Sequence, residues 1–416
     1  MSSEAVGRRA PSLRRRQPTT SRIIFLVANA DGTGGIARSV HTLASGLADR
    51  HEVEVVSVYR RRSEPAYAHD PRVKVSYLQD AHLGDGVRRG RPDRGYHLAG
   101  AGPVREWLNK RQPFVSGEDN EMSALTDILL VRKLRSLPPC VLVATRPSLQ
   151  TAASRFAPRH VITVGQDHMN VETRSKDPEA FERFLRSARK LDAFVVLTQA
   201  DARDYEPHLG ESGTVLTSIP NASPWAIGAP APLTSKIVLA AGHLVPRKGF
   251  DRMVAAWKPI SRARPDWQLH IYGSGEQRRR LTRQIRRRRL SDSVHLKGHT
   301  MAFEEVLAGA SIYAMTSHEE GFPMVLVEAM SKGVPPVSMD CPRGPAEIIV
   351  DHRNGRLTPN GDIDAFSTAL LDVINDDAGR AEMGRAALED ARQYTSEVIS
   401  QRWTDLFERL REARSG

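Results

Sequence analysis

Residues 317–333 read Ser-His-Glu-Glu-Gly-Phe-Pro-Met-Val-Leu-Val-Glu-Ala-Met-Ser-Lys-Gly and follow the short apolar run Ile312–Met315. A wholly apolar run of this length is typical of a strand that is buried on both faces of a parallel sheet. Pro323 suits the first position of a helix, and Gly333 suits its end. The segment therefore predicts a strand, a loop and a helix, the repeating unit of an α/β fold.

Two glutamates in this segment suggest chemistry. Glu320 falls on the loop, and Glu328 falls about one and a half turns into the helix. The N–H groups of Met324 and Val325, unpaired at the helix start, could seat a phosphate. A carboxylate beside that seat can accept hydrogen bonds from sugar hydroxyls. The alternative is that both glutamates are ordinary helix-start and surface residues.

The same alternation of apolar runs and helical patterns extends in both directions, which predicts two parallel α/β sheets. At 416 residues the chain exceeds one ordinary domain of roughly 100–200 residues. A ligand is then expected in the cleft between the domains. The other predicted strands are Arg22–Ala28, Val53–Val58, Val141–Ala144, Val161–Val164, Phe194–Leu197, Ile237–Ala241, Leu269–Tyr272, Val294–Leu296 and Val334–Ser338.

Composition sets the domain boundaries. We predict a disordered basic tail at 1–20, a first domain at 21–220 with an irregular Gly- and Arg-rich insertion at 81–120, and a Pro- and Ala-rich linker at 221–235. A second domain then covers 236–398. The last helix, 399–416, is expected to pack back toward the first domain.

A second motif is Gly242-His-Leu-Val-Pro-Arg-Lys-Gly-Phe-Asp251, which follows the predicted strand Ile237–Ala241. Its adjacent Arg247 and Lys248 are fixed cations at the carboxyl end of a strand. Such cations can neutralise a diphosphate and stabilise it as a leaving group. An Arg-Lys pair alone is weak evidence, but its position at the end of the second domain's first strand is informative.

Together these segments resemble glycosyltransferase family 4, a retaining group with the GT-B fold of two Rossmann-like domains facing across a cleft. The resemblance spans nearly all of residues 22–410. It rests on Glu320 and Glu328 at their spacing, on the Gly242–Asp251 segment and on the glycine pair Gly34-Gly35. The segment Gln166-Asp-His-Met-Asn170 is also similar to polyol-phosphate (teichoic-type) glucosyltransferases within the family.

The resemblance implies roles for individual residues. His168 would reach the donor sugar, Lys248 would hold the diphosphate, and Glu320 would bind the sugar hydroxyls; these are the catalytic candidates. Glu328 would bind the ribose hydroxyls. The implied donor-binding set is Gly34, Gly35, His243, Arg247, Lys248, Glu320, Gly321, Phe322, Met324, Val325 and Glu328.

Two positions depart from the family pattern. His243 stands where the family usually has arginine, and histidine is mostly neutral at pH 7, which would weaken phosphate binding. Arg247 is our candidate to replace that charge. Pro323 stands where many members have glycine, and it removes one N–H donor.

The predicted function is a retaining, metal-independent transfer of a hexose from a nucleotide diphosphate sugar, UDP-linked by the family's habits, to a hydroxyl of a cell-envelope or glycolipid-type acceptor. No Asp-x-Asp element follows any of the predicted strands, so no metal and no further cofactor is expected. The alternatives are a sugar-nucleotide epimerase and a non-enzymatic nucleotide- or polyanion-binding protein on a degenerate GT-B fold.

Charge indicates an anionic partner. The chain has 60 basic and 49 acidic residues, a net charge of +11, and its densest basic patch is the helical pattern 277–290. A polyol phosphate, a lipid-linked sugar, a phospholipid or an anionic membrane surface would fit, whereas nucleic acid is disfavoured because no aromatic residues interleave with the arginines. Isolated Cys140 and Cys341 and the lack of a long apolar run predict a cytoplasmic protein, peripheral at the inner face of the plasma membrane.

Overall fold

A computed structural model describes residues 21–80, 103–116, 119 and 121–415 of the chain. The predicted basic tail at 1–20 lies outside these residues. So do 81–102, 117, 118 and 120, which make up most of the predicted insertion. Within that insertion, Pro103–Asn109 form a short helix.

Within the described residues, seven parallel strands form the first sheet: β1 (Arg22–Asn29), β2 (Glu52–Arg60), β3 (Lys74–Asp80), β4 (Val141–Ala144), β5 (Ile162–Gln166), β6 (Ala193–Val196) and β7 (Val215–Ser218). Their order across the sheet is β3-β2-β1-β4-β5-β6-β7. The accompanying helices are α1 (Gly35–Leu47), α2 (Pro103–Asn109), α3 (Ala124–Arg135), α4 (Pro147–Phe156), α5 (Val171–Arg174), α6 (Pro178–Ala188) and α7 (Gln199–Leu209).

The second sheet has six parallel strands: β8 (Ile237–Ala241), β9 (Gln268–Tyr272), β10 (Val294–Gly298), β11 (Ile312–Met315), β12 (Pro336–Asp340) and β13 (Arg356–Pro359), in the order β10-β9-β8-β11-β12-β13. Its helices are α8 (Phe250–Ala263), α9 (Arg278–Arg287), α10 (Phe303–Ala308), α11 (Met324–Met330), α12 (Pro345–Ile348), α13 (Ile363–Asn375) and α14 (Asp377–Asp390). The last helix is α15 (Ser396–Ser415). The prediction of an α/β fold with two doubly wound sheets is confirmed.

Each sheet is covered by helices on both faces, so each has an apolar cluster on either side. The central strands read as unbroken apolar runs for this reason. Helix α15 packs on the first domain although it follows the second in sequence: Ile399, Trp403 and Phe407 are fully buried in the cluster formed by β1, β2 and α1. The chain therefore crosses twice between the domains.

Three strands were missed by the sequence interpretation, and all three lie at the edges of the sheets. β3, β7 and β13 are mostly half-buried or exposed, so they carry no continuous apolar run that would indicate a strand. Among the described residues, no helix is long and apolar enough to cross a membrane.

Candidate functional site

Both sheets change winding direction at a central strand, and the candidate residues lie at those two points. In the first sheet the switch falls between β1 and β4, and in the second between β8 and β11. Loops at the carboxyl ends of such strands form the usual ligand crevice of open α/β sheets. The loop after β8 carries Lys248, and the loop after β11 carries Glu320.

Lys248 and Glu320 form the centre of the site. The Lys248 Nζ donates to both carboxylate oxygens of Glu320, at 2.6 and 2.9 Å. Ser317 Oγ donates to the same carboxylate at 2.7 Å, and Arg247 lies 3.9 Å from it. The Glu320 side chain is only 6% exposed. The Lys248 ammonium has three N–H donors and uses two of them on Glu320, so the third remains available to a ligand.

Backbone geometry brings the two loops together. Gly249, at φ 60°, is the N-cap of helix α8, and a Cβ there would lie 2.0 Å from the carbonyl oxygen of Thr316. The Thr316 hydroxyl donates to the Gly249 carbonyl at 2.9 Å, and the N–H of His318 donates to the Arg247 carbonyl at 2.8 Å. Glycine is therefore required at 249, both for the left-handed conformation and for the close approach.

The loop after β5 reaches this centre from the first domain. Asn170 Nδ2 donates to the carbonyl of Glu320 at 2.9 Å. A Cβ on Gly321 would lie 2.3 Å from the carbonyl oxygen of His168, so the two loops touch with no room for a side chain. The structure thus places the His168 backbone beside the Glu320 loop, and contact of His168 with a donor sugar stays a prediction.

A buried carboxylate anchors that loop. Asp167 pairs with Arg174 at 2.5 Å and accepts a hydrogen bond from Tyr205 at 2.8 Å. Burial lowers the pKa of the neighbouring His168 to about 4, which keeps its imidazole neutral at pH 7. Among the described residues, the His168 Nε2 is buried without a hydrogen-bond partner. A neutral imidazole suits hydrogen bonding to a sugar better than binding of phosphate.

Glu328 is buried rather than on the surface, with 3% of its side chain exposed. Its Oε1 accepts a hydrogen bond from Arg38 of the first domain at 2.9 Å. Arg38 was missed by the sequence interpretation because it is one of 60 basic residues; its only signal is its place in the helix that follows Gly34-Gly35. Asn170 was missed although it ends the quoted Gln166–Asn170 motif.

The helix start differs from the expectation. Helix α11 begins at Met324, and Pro323 is its N-cap rather than its first helical residue. The N–H of Met324 is not unpaired, because it donates to the carbonyl of Phe322 at 2.9 Å. The proline forces a tight turn here that uses this donor. The prediction of an unpaired Met324 amide is wrong for this conformation.

The other predicted residues surround the centre. Val325 lines a small cavity with Lys248 and Glu320, and Phe322 is buried against Tyr394. His243 is exposed. Gly34 and Gly35 are also exposed at the start of α1, and a Cβ on either would meet no described atom within 4 Å.

Charged contacts close the cleft on one side. Glu347 of the second domain accepts hydrogen bonds from the backbone N–H groups of Gln199 and Ala200, at 2.8 and 2.7 Å, at the start of α7. Arg343 pairs with Asp204 of the same helix. The backbone N–H of Arg343 also donates to the Glu320 carbonyl, at 3.0 Å. Arg343 therefore links these contacts between the domains directly to the Glu320 loop.

One Asp-x-Asp element was overlooked because β13 was not predicted. Asp362 and Asp364 follow this strand, but Asp362 caps α13 by accepting from the N–H of Ala365 at 2.9 Å. In the described part of the chain, no group of three His, Cys, Asp or Glu residues could hold a metal ion. Metal independence stays a prediction.

The fold is the two-domain GT-B fold. A crystal structure of Staphylococcus aureus TarM, a G117R mutant in complex with fondaparinux, alpha-GlcNAc-glycerol and UDP, superimposes with a TM-score of 0.74. The superposition covers 93% of this chain and 100% of that one, at 18% sequence identity. This likeness defines the fold class.

Residues 227–390 match the family model described as "Glycosyl transferases group 1". The chain is 34% identical over 391 residues to the exopolysaccharide phosphotransferase SCO2592 of Streptomyces coelicolor, covering 94% of this chain but only 41% of that relative. It is 25% identical to the amylovoran biosynthesis glycosyltransferase AmsD of Erwinia amylovora, covering 93% and 99%. A poly(ribitol-phosphate) alpha-N-acetylglucosaminyltransferase of S. aureus is 28% identical over 58% of this chain and 50% of its own length. These comparisons support a glycosyltransferase of group 1.

Proposed function

We propose that this protein is a retaining glycosyltransferase of family 4 that moves a hexose from a UDP-sugar to a hydroxyl of a cell-envelope acceptor without a metal ion. The observation that carries the proposal is the Lys248–Glu320 pair at the second domain's switch point, with the His168 backbone of the first domain brought against the adjacent Gly321. Both domains therefore contribute to one centre.

The donor fits the remaining hydrogen-bonding capacity of this pair. An ionised carboxylate has about four acceptor sites, and Lys248 and Ser317 occupy three of those on Glu320. A sugar hydroxyl can take the fourth. The third N–H of Lys248 is available for a diphosphate oxygen, and Arg247 adds a second cation nearby. The fixed charges would stabilise the departing nucleoside diphosphate in place of a metal.

In this proposal the configuration at the anomeric carbon is retained, because the acceptor attacks the same face of the sugar from which the diphosphate leaves. The acceptor hydroxyl approaches the anomeric carbon from that face, and a phosphate oxygen of the leaving group takes its proton. The C–O bond to the diphosphate breaks as the new glycosidic C–O bond forms, so the nucleoside diphosphate is released. His168, neutral at pH 7, would hydrogen-bond the sugar without competing for protons.

Nucleotide release distinguishes this function from its competitors. We expect the protein, incubated with UDP-hexose and EDTA, to release UDP when acceptor is added, and to be stabilised against heat by UDP more than by GDP, ADP or CDP. Release of UMP instead would indicate sugar-phosphate transfer, and the S. coelicolor relative is named a phosphotransferase. An epimerised UDP-sugar without acceptor would indicate an epimerase. No stabilisation and no turnover would indicate a degenerate binding protein, and a strict requirement for magnesium would contradict the metal-independent mechanism.

We also propose that the acceptor side of the reaction is anionic. Helix α9 contains no acidic residue, buries Leu281 and Ile285, and exposes six arginines along its length: Arg278, Arg279, Arg280, Arg283, Arg286 and Arg287. The start of this helix adjoins the site, because Arg280 and His318 line one small cavity. Relatives named for polyol-phosphate polymers support a phosphate-bearing acceptor, and the same face could hold the protein at an anionic membrane.

Neutralising that helix tests the charged partner. We expect substitution of Arg279, Arg283, Arg286 and Arg287 by Gln to abolish flotation with vesicles that contain anionic lipid, because each basic residue contributes about 1 kcal/mol near such a surface. Replacement of four exposed arginines elsewhere, Arg186, Arg262, Arg385 and Arg409, is the matched control for net charge. If the wild-type protein floats equally well with neutral vesicles, or not at all, the membrane part of the proposal is wrong. If the wild-type protein then binds polyol phosphate and the variant without these four arginines does not, the helix binds the acceptor.

A further inference from the structure

Arg38 and Glu328 make a largely buried ion pair that joins the candidate ligand-binding ends of the two described sheets. Arg38 lies in the second turn of α1, just after Gly34-Gly35, and its N–H donates to the Gly34 carbonyl at 3.2 Å. Its guanidinium reaches across the cleft to Glu328 Oε1 at 2.9 Å. The side chains are 25% and 3% exposed, so solvent screens this pair little.

Two aromatic rings fix the guanidinium. Its carbon lies 4.9 Å from the ring centroid of Trp225, in the linker, and 5.7 Å from that of Tyr67, in the first domain. Stacking of this kind restricts a long side chain that would otherwise be mobile. Three parts of the chain, the α1 helix, the linker and α11, therefore meet around one hydrogen bond.

The second oxygen of the Glu328 carboxylate accepts no hydrogen bond from the described residues. Glu328 Oε2 is buried and has no hydrogen-bond partner among the described residues. A buried acceptor left without a partner is costly, and native proteins rarely keep one without a use. Arg38 occupies only Oε1, so the arrangement presents Oε2 to a donor that the protein itself does not supply.

We propose that Arg38 is a positioning residue of the donor site: from the opposite domain it holds the Glu328 carboxylate so that Oε2 receives the ribose hydroxyls of a nucleoside diphosphate. This inference rests on the proposed function for the identity of the ligand. Arg38 does not touch the nucleotide in this proposal; it acts through Glu328. Because the contact joins the two domains, any motion that separates them would remove it, and nucleotide binding would then favour the arrangement in which they touch.

The charge of Glu328 depends on the same contact. Burial raises the pKa of Glu328, and Arg38 opposes that rise. The other groups near it are Tyr67 and Tyr313, whose pKa values are both raised by burial, so both stay neutral around pH 7. Without Arg38, the pKa of Glu328 rises further, because burial then acts without the opposing cation. A protonated carboxyl is the weaker hydrogen-bond acceptor for ribose.

The test is UDP binding measured by calorimetry between about pH 6 and about pH 9, where a raised carboxyl pKa becomes visible. We expect R38Q to bind UDP about tenfold to a hundredfold more weakly than wild type at pH 7, the range for loss of a hydrogen bond to a charged group. The loss should shrink as the pH rises, because the unpaired Glu328 then ionises. R38K keeps the charge and should keep the wild-type pH profile with a smaller loss.

Two further variants separate positioning from other roles. Lys176→Gln breaks the exposed pair with Glu319 at 2.9 Å, which also joins the domains, and should leave UDP affinity and its pH profile unchanged. The double variant that combines R38Q with Glu328→Gln should bind UDP as well as Glu328→Gln alone, because Arg38 then has no carboxylate to position. If R38Q by itself does not fold, the double variant can still be measured, since it has no unpaired buried charge.

The outcomes are distinct. A further loss in the double variant would mean that Arg38 touches the nucleotide itself and would overturn the positioning role. A pH-independent loss in R38Q, or an equal loss in Lys176→Gln, would overturn it in favour of simple domain docking. If the wild-type protein binds no nucleotide, it is the proposed function that fails.

Discussion

Replacing Lys248 by alanine is expected to lower the turnover of sugar transfer about a hundredfold to a thousandfold, the usual effect of removing one preorganised charge from a transition state. Lys248 is the cation that contacts both oxygens of Glu320, at 2.6 and 2.9 Å. Its removal would also leave Glu320, whose side chain is 6% exposed, without its nearest positive charge. Both donor affinity and turnover should therefore fall, as measured by UDP release at saturating and limiting UDP-hexose.

The matched control is Lys236→Ala. Lys236 immediately precedes β8, at the end of the strand opposite Lys248, and pairs with Asp266 at 2.9 Å on the surface. Such exposed pairs contribute little, so this variant should keep full activity. Equal turnover of Lys248→Ala and wild type would show that Lys248 is only a structural partner of Glu320.

The second large effect is expected at Gly321. Alanine there would place a Cβ 2.3 Å from the carbonyl oxygen of His168, a contact with backbone that cannot move as a side chain would. The loops that carry His168 and Glu320 must then separate, and the hydrogen bond from Asn170 to the Glu320 carbonyl is lost. A misplacement of about 1 Å in a catalytic site can cost about a hundredfold in rate, and we expect a loss of that size.

Thermal unfolding should separate this effect from loss of the fold. Gly321 lies at the cleft rather than in an apolar cluster, so Gly321→Ala should unfold near the wild-type temperature. Gly228→Ala is the control, since a Cβ at that linker position meets no described atom within 4 Å. Full activity in Gly321→Ala would mean that the two loops need not touch during the reaction. Unfolding of the variant at a much lower temperature would mean that the contact maintains stability rather than catalysis.

Local sequence was sufficient for elements that are buried on both faces. The predicted strands at Ile237–Ala241 and Ile312–Met315 match β8 and β11 in full, because burial between two layers of helices requires unbroken apolar residues. The edge strands β3 and β13 escaped detection because one side of each lies toward solvent. The Asp362-x-Asp364 element was overlooked for the same reason, since its strand was unknown.

The positions of Lys248 and Glu320 were also predictable. Each follows a recognisable strand within a few residues, and parallel strands that neighbour each other end at the same edge of the sheet. The hydrogen-bond partners of individual backbone groups were less predictable. The Met324 amide is paired with the Phe322 carbonyl because of the turn at Pro323, a detail that depends on backbone torsions rather than on the order of residues.

The sequence by itself therefore determined the two α/β sheets and the loops that bring Lys248 and Glu320 together, because these features arise from short apolar runs and the residues directly after them. Only the tertiary structure decided which side chains and loops of the two domains contact each other across the cleft. Arg38 and Glu328 are 290 positions apart, and only its place in the helix after Gly34-Gly35 distinguishes Arg38 from the other basic residues of the chain. A buried carboxylate needs a cation, but which cation supplies it depends on how the two domains dock. The same docking brings His168 against Gly321.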